Sequence, residues 1–324
     1  MDFVFDLDFL DLYTLEYNKT MSHHQVIERL LTEYTQYKLV IITEKKRGKL
    51  ETYLFDNIPS VFQAISNVAG FELYKTLGDY LSNNNSERGL VFSDKVKDHI
   101  EEIKLSSKVG FSWYNLFDDI INFEQSFKIN KNMNSEEEFW NEFNKIGLCL
   151  NDITIVDKYI LREDGKQLAE LCKKVCSYSD SININVFYQK VPIISKIHET
   201  EYDNMKSFLE KSKLRLHSVL TRKKIKPNFI YLYYEKLKGK FDFHDRYLYH
   251  PYGLIKAGGG FDEKGKVDKT NSDILSSSLF DKYSFRKMRE HKEMQNKYID
   301  SVSPKTYSTN KVLIFFPEPI NNIN

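Results

Sequence analysis

Residues 3–8 read FVFDLD, a short apolar run that ends on two acids, Asp6 and Asp8. Runs of this kind are typical of a strand that is buried on both faces and delivers a polar residue at its C-terminal end. The pattern predicts a strand over residues 3–7 with two carboxylates at its end. The spacing of two residues lets one carboxylate attack a substrate while the other moves a proton.

Two later runs have the same form. Residues 38–43 (KLVIIT) end on Thr43, and residues 89–92 (GLVF) lead through Ser93 to Asp94. Four helices are predicted around these runs. The first begins at Ser22 with a Ser22–Gln25 capping box, and the second extends from Ser60 to Gly70. The third passes through Leu73, Leu77 and Leu81, and the fourth follows Ser93 with Val96, Ile100 and Ile103 on its apolar face. This alternation predicts an α/β fold with a Rossmann-like parallel sheet, whose ligands bind at the carboxyl ends of the strands.

The polar residues at these strand ends suit phosphate chemistry. Hydrolysis of a phosphate monoester needs a nucleophile, a proton donor and positive charge near the phosphoryl oxygens. Asp6 and Asp8 can supply the first two, and Thr43 can hydrogen-bond a phosphate oxygen. Asp94 can hold Mg²⁺ jointly with Asp6, since magnesium prefers one or two carboxylates plus water and substrate oxygens.

Residues 1–115 resemble the haloacid dehalogenase (HAD) superfamily of phosphatases. FVFDLD is similar to its first motif, VIIT to its second, Lys75 to its third and VFSDKVKD to its fourth. The resemblance implies Asp6 as nucleophile, Asp8 as general acid and base, Thr43 and Lys75 as phosphate ligands, Asp6, Asp8 and Asp94 around Mg²⁺, and Asp98 as a supporting acid.

The chain departs from that superfamily at several positions. Phe9 and Leu10 stand where glycine and threonine are usual, Ser93 replaces a glycine, and Thr76 replaces a proline. The interval between Asp8 and the second motif has room for a helix but not for a separate cap domain. The site is therefore expected to be open. In this superfamily, an open site resembles those of the members that act on macromolecules such as protein or nucleic-acid ends.

A second structural pattern follows residues 128–138 (KINKNMNSEEE), which are polar and predict a linker. The patterns predict strands at 153–157, 182–188, 252–257 and 312–316, helices at 164–178 and about 199–220, and two strand-like runs, PNFIYLYYE and KFDFHDRYLYH, separated by a Lys238-Gly239 turn signal. The predicted domains are residues 1–127 and 139–324.

The segment FDFHDRYLY carries the second group of candidate residues. Alternation along a strand places His244 and Arg246 on one face, where a histidine and a cation suit a phosphodiester. This segment resembles the HxK motif of the phospholipase D superfamily, and more closely the degenerate phospholipase D-like domain of certain membrane-trafficking proteins. That resemblance implies His244 and Arg246 as catalytic residues, Gly258 and Gly259 near substrate, and Asp262 in support.

Bulk composition excludes several classes of protein. The net charge of +1 provides no global field for nucleic acid or membrane, and no apolar segment is long enough to span a bilayer. The acidic N-terminus lacks the features of a signal peptide, so a cytoplasmic location is expected. Cys149, Cys172 and Cys176 lack CxxC spacing, which favours reduced core residues over a metal site.

Three functions fit these observations. The leading hypothesis is a magnesium-dependent phosphohydrolase acting on a nucleic-acid end, another macromolecule or a nucleotide, with a C-terminal domain that binds phosphodiester. A second hypothesis is a phospholipase D-like nuclease that uses His244 and needs a homodimer, because the chain contains a single such motif. The third is a non-catalytic component of a bacterial antiviral defence or repair complex.

Overall fold

The structure is a computed structural model in which the chain divides into two compact units, Met1–Gln125 and Ser126–Asn324. It describes residues 1–33, 37–68, 70–83, 88–129, 136–148, 150–157, 160–175, 181–188, 199–221, 224–231, 246–257, 274–301 and 314–315. Each unit contains its own sheet, so the expected α/β class is confirmed for both.

The first unit is built on a parallel sheet. Its elements are β1 (Asp2–Asp6), α1 (Leu7–Glu16), α2 (Ser22–Thr32), β2 (Lys38–Ile42), α3 (Arg47–Asn57), α4 (Pro59–Asn67), β3 (Gly70–Tyr74), α5 (Leu77–Asn83), β4 (Gly89–Phe92), a 3-10 helix (Asp94–His99), α6 (Ile100–Leu105), β5 (Lys108–Phe111), a short 3-10 turn (Trp113–Asn115) and α7 (Leu116–Phe127), which extends into the second unit. The strand order is β3-β2-β1-β4-β5, and every strand pair is parallel.

This order places β1 at the centre and reverses the direction of winding between β1 and β4. In register, Phe5 lies beside Ile41 on one side and beside Phe92 on the other, and all three are buried. In open α/β sheets, ligands bind outside the carboxyl ends of the strands at the point where the order reverses. That point lies at the ends of β1 and β4, next to Asp6 and Asp94.

Several elements of the first unit differ from the sequence-based expectation. The recurrence of Leu73, Leu77 and Leu81 predicted one helix, but Leu73 lies in β3 and only the other two lie in α5. Strand β3 is at the sheet edge and its apolar residues are only half-buried, so it lacks the continuous apolar run of a central strand. Strands β3 and β5 and helices α1 and α3 were not predicted.

Helix α2 shows how a local motif can be overridden. Val26, Ile27 and Leu30 are buried as its periodicity predicted. The predicted capping box is not formed, because the N-cap residue is Met21 and Gln25 Nε2 donates instead to the Lys19 carbonyl at 2.7 Å.

The second unit is built on a mixed sheet. Its elements are α8 (Glu136–Asn144), β6 (Asp152–Val156), α9 (Arg162–Val175), β7 (Ser181–Tyr188), α10 (Glu199–Val219), β8 (Lys224–Tyr231), β9 (Arg246–His250), β10 (Gly253–Ala257), β11 (Ile274–Ser278), α11 (Lys282–Ser301) and β12 (Ile314–Phe315). The order is β11-β10-β9-β6-β7-β8-β12, with β6, β7 and β8 parallel and the remaining pairs antiparallel.

The sheet corrects one interpretation of the sequence. The turn signal between the two strand-like runs suggests neighbouring strands, but β8 pairs with β7 and β12 whereas β9 pairs with β6 and β10. Strand β11 and helix α11 were not predicted. Of the alternation predicted for residues 182–188, Ile182, Ile184 and Val186 are buried and Asn183 is exposed, but Asn185 is buried as well. The Lys238-Gly239 turn itself lies outside the described residues, as does part of the predicted linker.

Candidate functional site

Asp6 is the last residue of β1 and the N-cap of α1. Its Oδ1 accepts a hydrogen bond from the Asp8 backbone N–H at 3.3 Å, and its Oδ2 accepts one from Ser93 Oγ at 3.0 Å. Its side chain is only 6% exposed. Because helix and neighbouring strand both hold the carboxylate, its orientation is fixed before any ligand arrives.

Lys95 is the cation closest to this carboxylate among the described ion pairs. Its Nζ lies 3.3 Å from Asp6 Oδ2, the same oxygen that Ser93 contacts. The Lys95 backbone N–H donates to Ser93 Oγ at 3.1 Å. The chain between β4 and its 3-10 helix therefore brings a hydroxyl and an ammonium to one oxygen of Asp6. Sequence reasoning missed Lys95 and treated Ser93 only as a departure from a family pattern.

Asp94 begins the 3-10 helix after β4. Its Oδ1 accepts hydrogen bonds from Ser112 Oγ at 2.9 Å and from the Trp113 backbone N–H at 2.8 Å. The helix packs closely on β5, since a Cβ added at Gly110 would meet Val96 Cγ1 at 2.4 Å. Gly110 thus permits the approach that positions Asp94 and its neighbours, because real Cβ atoms do not come so near another carbon.

The other predicted residues of the first unit make no side-chain hydrogen bond or ion pair with the Asp6 carboxylate among the described contacts. Asp8 is exposed in the first turn of α1, and Asp98 is exposed on the 3-10 helix. Thr43 follows β2; its Oγ1 accepts the Lys45 backbone N–H at 3.2 Å. Lys75 follows edge strand β3, which lies two strands from β1, about 10 Å at the usual strand spacing. Among the described residues no ion pair joins Lys75 to an acid.

The charge around α1 is mostly negative. Tyr53 Oη donates to Asp11 Oδ1 at 2.7 Å, and this bond, burial and the charges of Asp11 and Asp8 raise the pKa of Tyr53 to about 12. Lys45 Nζ lies 4.7 Å from the centre of the Tyr53 ring. The Tyr53 hydroxyl therefore stays protonated at physiological pH beside the two acids of α1, Asp8 and Asp11.

The chemistry of Asp6 and Asp94 suits a magnesium ion. Asp6 ends β1 and Asp94 follows the parallel neighbour β4, and among the described residues Asp94 Oδ2 has no hydrogen-bond partner. No group of three or more His, Cys, Asp or Glu side chains is arranged to hold a metal within the described ranges. Magnesium needs only one or two carboxylates when water and substrate complete the shell. Asp6 and Asp94 are therefore the residues that could hold magnesium here, and the Lys95 ammonium already contacts Asp6.

In the second unit, Arg246 pairs with an acid that sequence reasoning did not assign. Arg246 Nε lies 3.5 Å from Asp157 Oδ1, and the two side chains are 16% and 4% exposed. Asp157 directly follows β6, and Arg246 begins the antiparallel neighbour β9. The predicted residues His244, Gly258, Gly259 and Asp262 lie outside the described residues. The signal for Asp157 was the same as for Asp6, an apolar run ending on an acid.

Three histidines are buried in the structure: His24, His250 and His291. His24 Nδ1 accepts the Asn18 backbone N–H at 2.8 Å. His250 is 2% exposed between Phe127 and Phe143, with each ring centre 5.7 Å away. Neither ring nitrogen of His250 has a hydrogen-bond partner among the described residues. Burial consequently lowers the pKa of His250 from 6.5 to about 3.

This burial predicts an acid-sensitive second unit. The folded pKa of His250 lies below the unfolded value, so the unfolded state binds more protons as pH falls below 6.5. The contribution of neutral, buried His250 to the free energy of unfolding is fully present above pH 6.5 and declines towards pH 3. When the pH is lowered from 7 to 5, the free energy of unfolding of His250→Phe should fall by about 2 kcal/mol less than that of the wild type. Urea denaturation at both pH values measures this, and equal losses would contradict it.

The described part of the chain contains no helix with the length and apolar character needed to cross a membrane. Of the cysteines, Cys172 is buried and reduced, whereas Cys149 and Cys176 lie outside the described residues. No model of a known protein family matches the chain, and no curated protein matches it significantly.

Proposed function

We propose that the first unit is a magnesium-dependent phosphohydrolase whose open site removes phosphate from a nucleic-acid end, another macromolecule or a nucleotide. One observation carries the proposal. Asp6 ends the central strand at the reversal of strand order, and its carboxylate is held there by Ser93 and Lys95 from the neighbouring strand end. A buried, oriented carboxylate beside a cation suits covalent phosphoryl transfer.

The proposed reaction has two steps on Asp6. Its carboxylate attacks phosphorus, the bond to the leaving alcohol breaks, and Asp8 gives its proton to the departing oxygen. Asp8 then takes a proton from water as that water attacks the acyl phosphate. The bond to Asp6 breaks, inorganic phosphate leaves, and both acids return to their starting forms.

Positive charge and hydrogen-bond donors support that reaction. Magnesium bound by Asp6 and Asp94 would offset the negative charge of the phosphoryl oxygens. Helix α1 begins at Leu7, so the backbone N–H groups of its first turn and the helix dipole lie beside the nucleophile. Thr43 and Lys75 follow the next two strands on the same edge of the sheet. They remain the proposed ligands of the distal phosphate oxygens.

The connections between strands support the proposed open site. Only α1 and α2 lie between β1 and β2 in the described residues, with no inserted sheet to close over Asp6. A small substrate therefore gains little from enclosure, whereas a large one can reach the acid. For the second unit we propose phosphodiester binding or contact with another chain. This proposal rests only on the resemblance of the FDFHDRYLY segment to phospholipase D-like domains.

Phosphate release tests the proposal. The full chain should release phosphate from 3′- or 5′-phosphorylated oligonucleotides and from p-nitrophenyl phosphate when Mg²⁺ is present, and stop when EDTA is added. An open site predicts higher kcat/KM for the oligonucleotides. Absence of phosphate release from every substrate at saturating Mg²⁺ would reject the proposed activity.

A further inference from the structure

Lys95 has a backbone that its neighbours hold in place and a charged side chain that is largely exposed. Its backbone N–H is bonded to Ser93, and the next residue, Val96, packs against β5 at Gly110. Its side chain, by contrast, is 54% exposed, while that of Asp6 is 6% exposed. The ammonium can therefore leave Asp6 by rotation of its own stem, without movement of the backbone.

A metal ion at Asp6 would meet this ammonium. Lys95 Nζ and Ser93 Oγ both contact Asp6 Oδ2. Asp6 Oδ1 already accepts the Asp8 N–H, so each carboxylate oxygen has a partner. Two cations at one carboxylate repel each other, most of all at a carboxylate as buried as that of Asp6. Binding of a divalent cation then requires that Lys95 move away.

We infer that Lys95 is the resident counter-ion of Asp6 and that it sets the magnesium affinity of the site by competing for the carboxylate. The inference rests on the proposed function for the metal, and it assigns Lys95 a positioning and regulatory role. In the absence of magnesium, Lys95 stabilises the buried carboxylate. Because linkage is reciprocal, bound magnesium must weaken the Lys95–Asp6 pair by the same factor that Lys95 weakens magnesium binding.

Calorimetric titration of the full chain with Mg²⁺ tests the competition. Lys95→Met should bind Mg²⁺ roughly three- to tenfold more tightly than the wild type, because the competing charge is gone. Lys95→Arg keeps the charge and should retain nearly wild-type affinity. Lys97→Met is the matched control, since Lys97 is an exposed lysine of the same 3-10 helix with no described ion pair to Asp6.

A footprinting measurement follows Lys95 directly. Acetylation by an N-hydroxysuccinimide ester, read by mass spectrometry, should modify Lys95 faster in Mg²⁺ than in EDTA. Lys97 should show no such difference. This measurement uses the wild-type chain and needs neither a variant nor turnover.

The outcomes separate this inference from the proposed function. Equal Mg²⁺ affinity of wild type and Lys95→Met, or a Lys95 acetylation rate that ignores Mg²⁺, overturns the inference alone. Absence of Mg²⁺ binding in both proteins overturns the inference together with the metal site. Tighter Mg²⁺ binding by Lys95→Met, together with no phosphate release by the wild type, supports the inference and rejects the proposed phosphohydrolase activity.

Discussion

Asp6→Asn is expected to lower phosphate release by at least about a thousandfold, because an amide cannot form the acyl phosphate on which the reaction depends. The fold should survive. Asparagine is as good a helix N-cap as aspartate, so its side-chain oxygen can still accept the Asp8 N–H. Steady-state kinetics on a phosphorylated oligonucleotide, with a thermal melt of the same sample, measures both properties.

A matched control separates loss of the nucleophile from loss of charge. Asp56→Asn makes the same chemical change at an exposed position of α3 and should leave kcat/KM within about twofold, as surface substitutions usually do. If Asp6→Asn were to release phosphate as fast as Asp56→Asn, covalent catalysis at Asp6 would be wrong.

Arg246→Met is expected to destabilise the second unit by about 3 kcal/mol. Asp157 is buried, and removing the guanidinium takes away a charge partner without removing the carboxylate. Trp113 and Trp140 are the two tryptophans of the chain, one in each unit. In a Trp113→Phe background, Trp140 fluorescence during urea denaturation therefore reports the second unit alone.

The second unit also supplies the control for this experiment. Arg286 pairs with Glu290 at 3.6 Å, but both side chains are well exposed on α11. Arg286→Met should cost less than about 0.5 kcal/mol, because exposed pairs one helical turn apart are weak. Equal costs for the two arginines would show that the Asp157–Arg246 pair is not a stabilising buried contact. The result also decides whether Arg246 variants can be used to test phosphodiester binding.

Central strands were predictable because burial on both faces leaves a continuous apolar run. Strands β1, β2 and β4 all show one, and their observed bounds differ from the predicted ones by at most a residue at either end. Strand β5 contains Lys108 and Gly110 within four residues, so no such run exists. Helix α1 was missed because Leu7, its first residue, continued the apolar run of β1 in the sequence.

Residues that act across strands were harder to predict than residues at strand ends. Asp6 and Asp94 follow apolar runs, so position alone indicated them. The contact between Lys95 and Asp6 joins residues from two strand ends and depends on β4 lying beside β1. Strand order is set by packing of the whole sheet, which local pattern does not specify. The same reason explains why the turn signal between the runs that contain β8 and β9 did not reveal that these strands are not neighbours.

The hydrogen bond that starts α1 links the helix to the chemistry of its own cap. Phosphorylation of Asp6 would replace its carboxylate with a mixed anhydride, whose carbonyl oxygen is a poorer acceptor for the Asp8 N–H. The first turn of α1 would therefore loosen as the intermediate forms and tighten again on hydrolysis. Under the proposed reaction, the Asp8 amide resonance and the rate at which its proton exchanges with solvent would report formation of the intermediate.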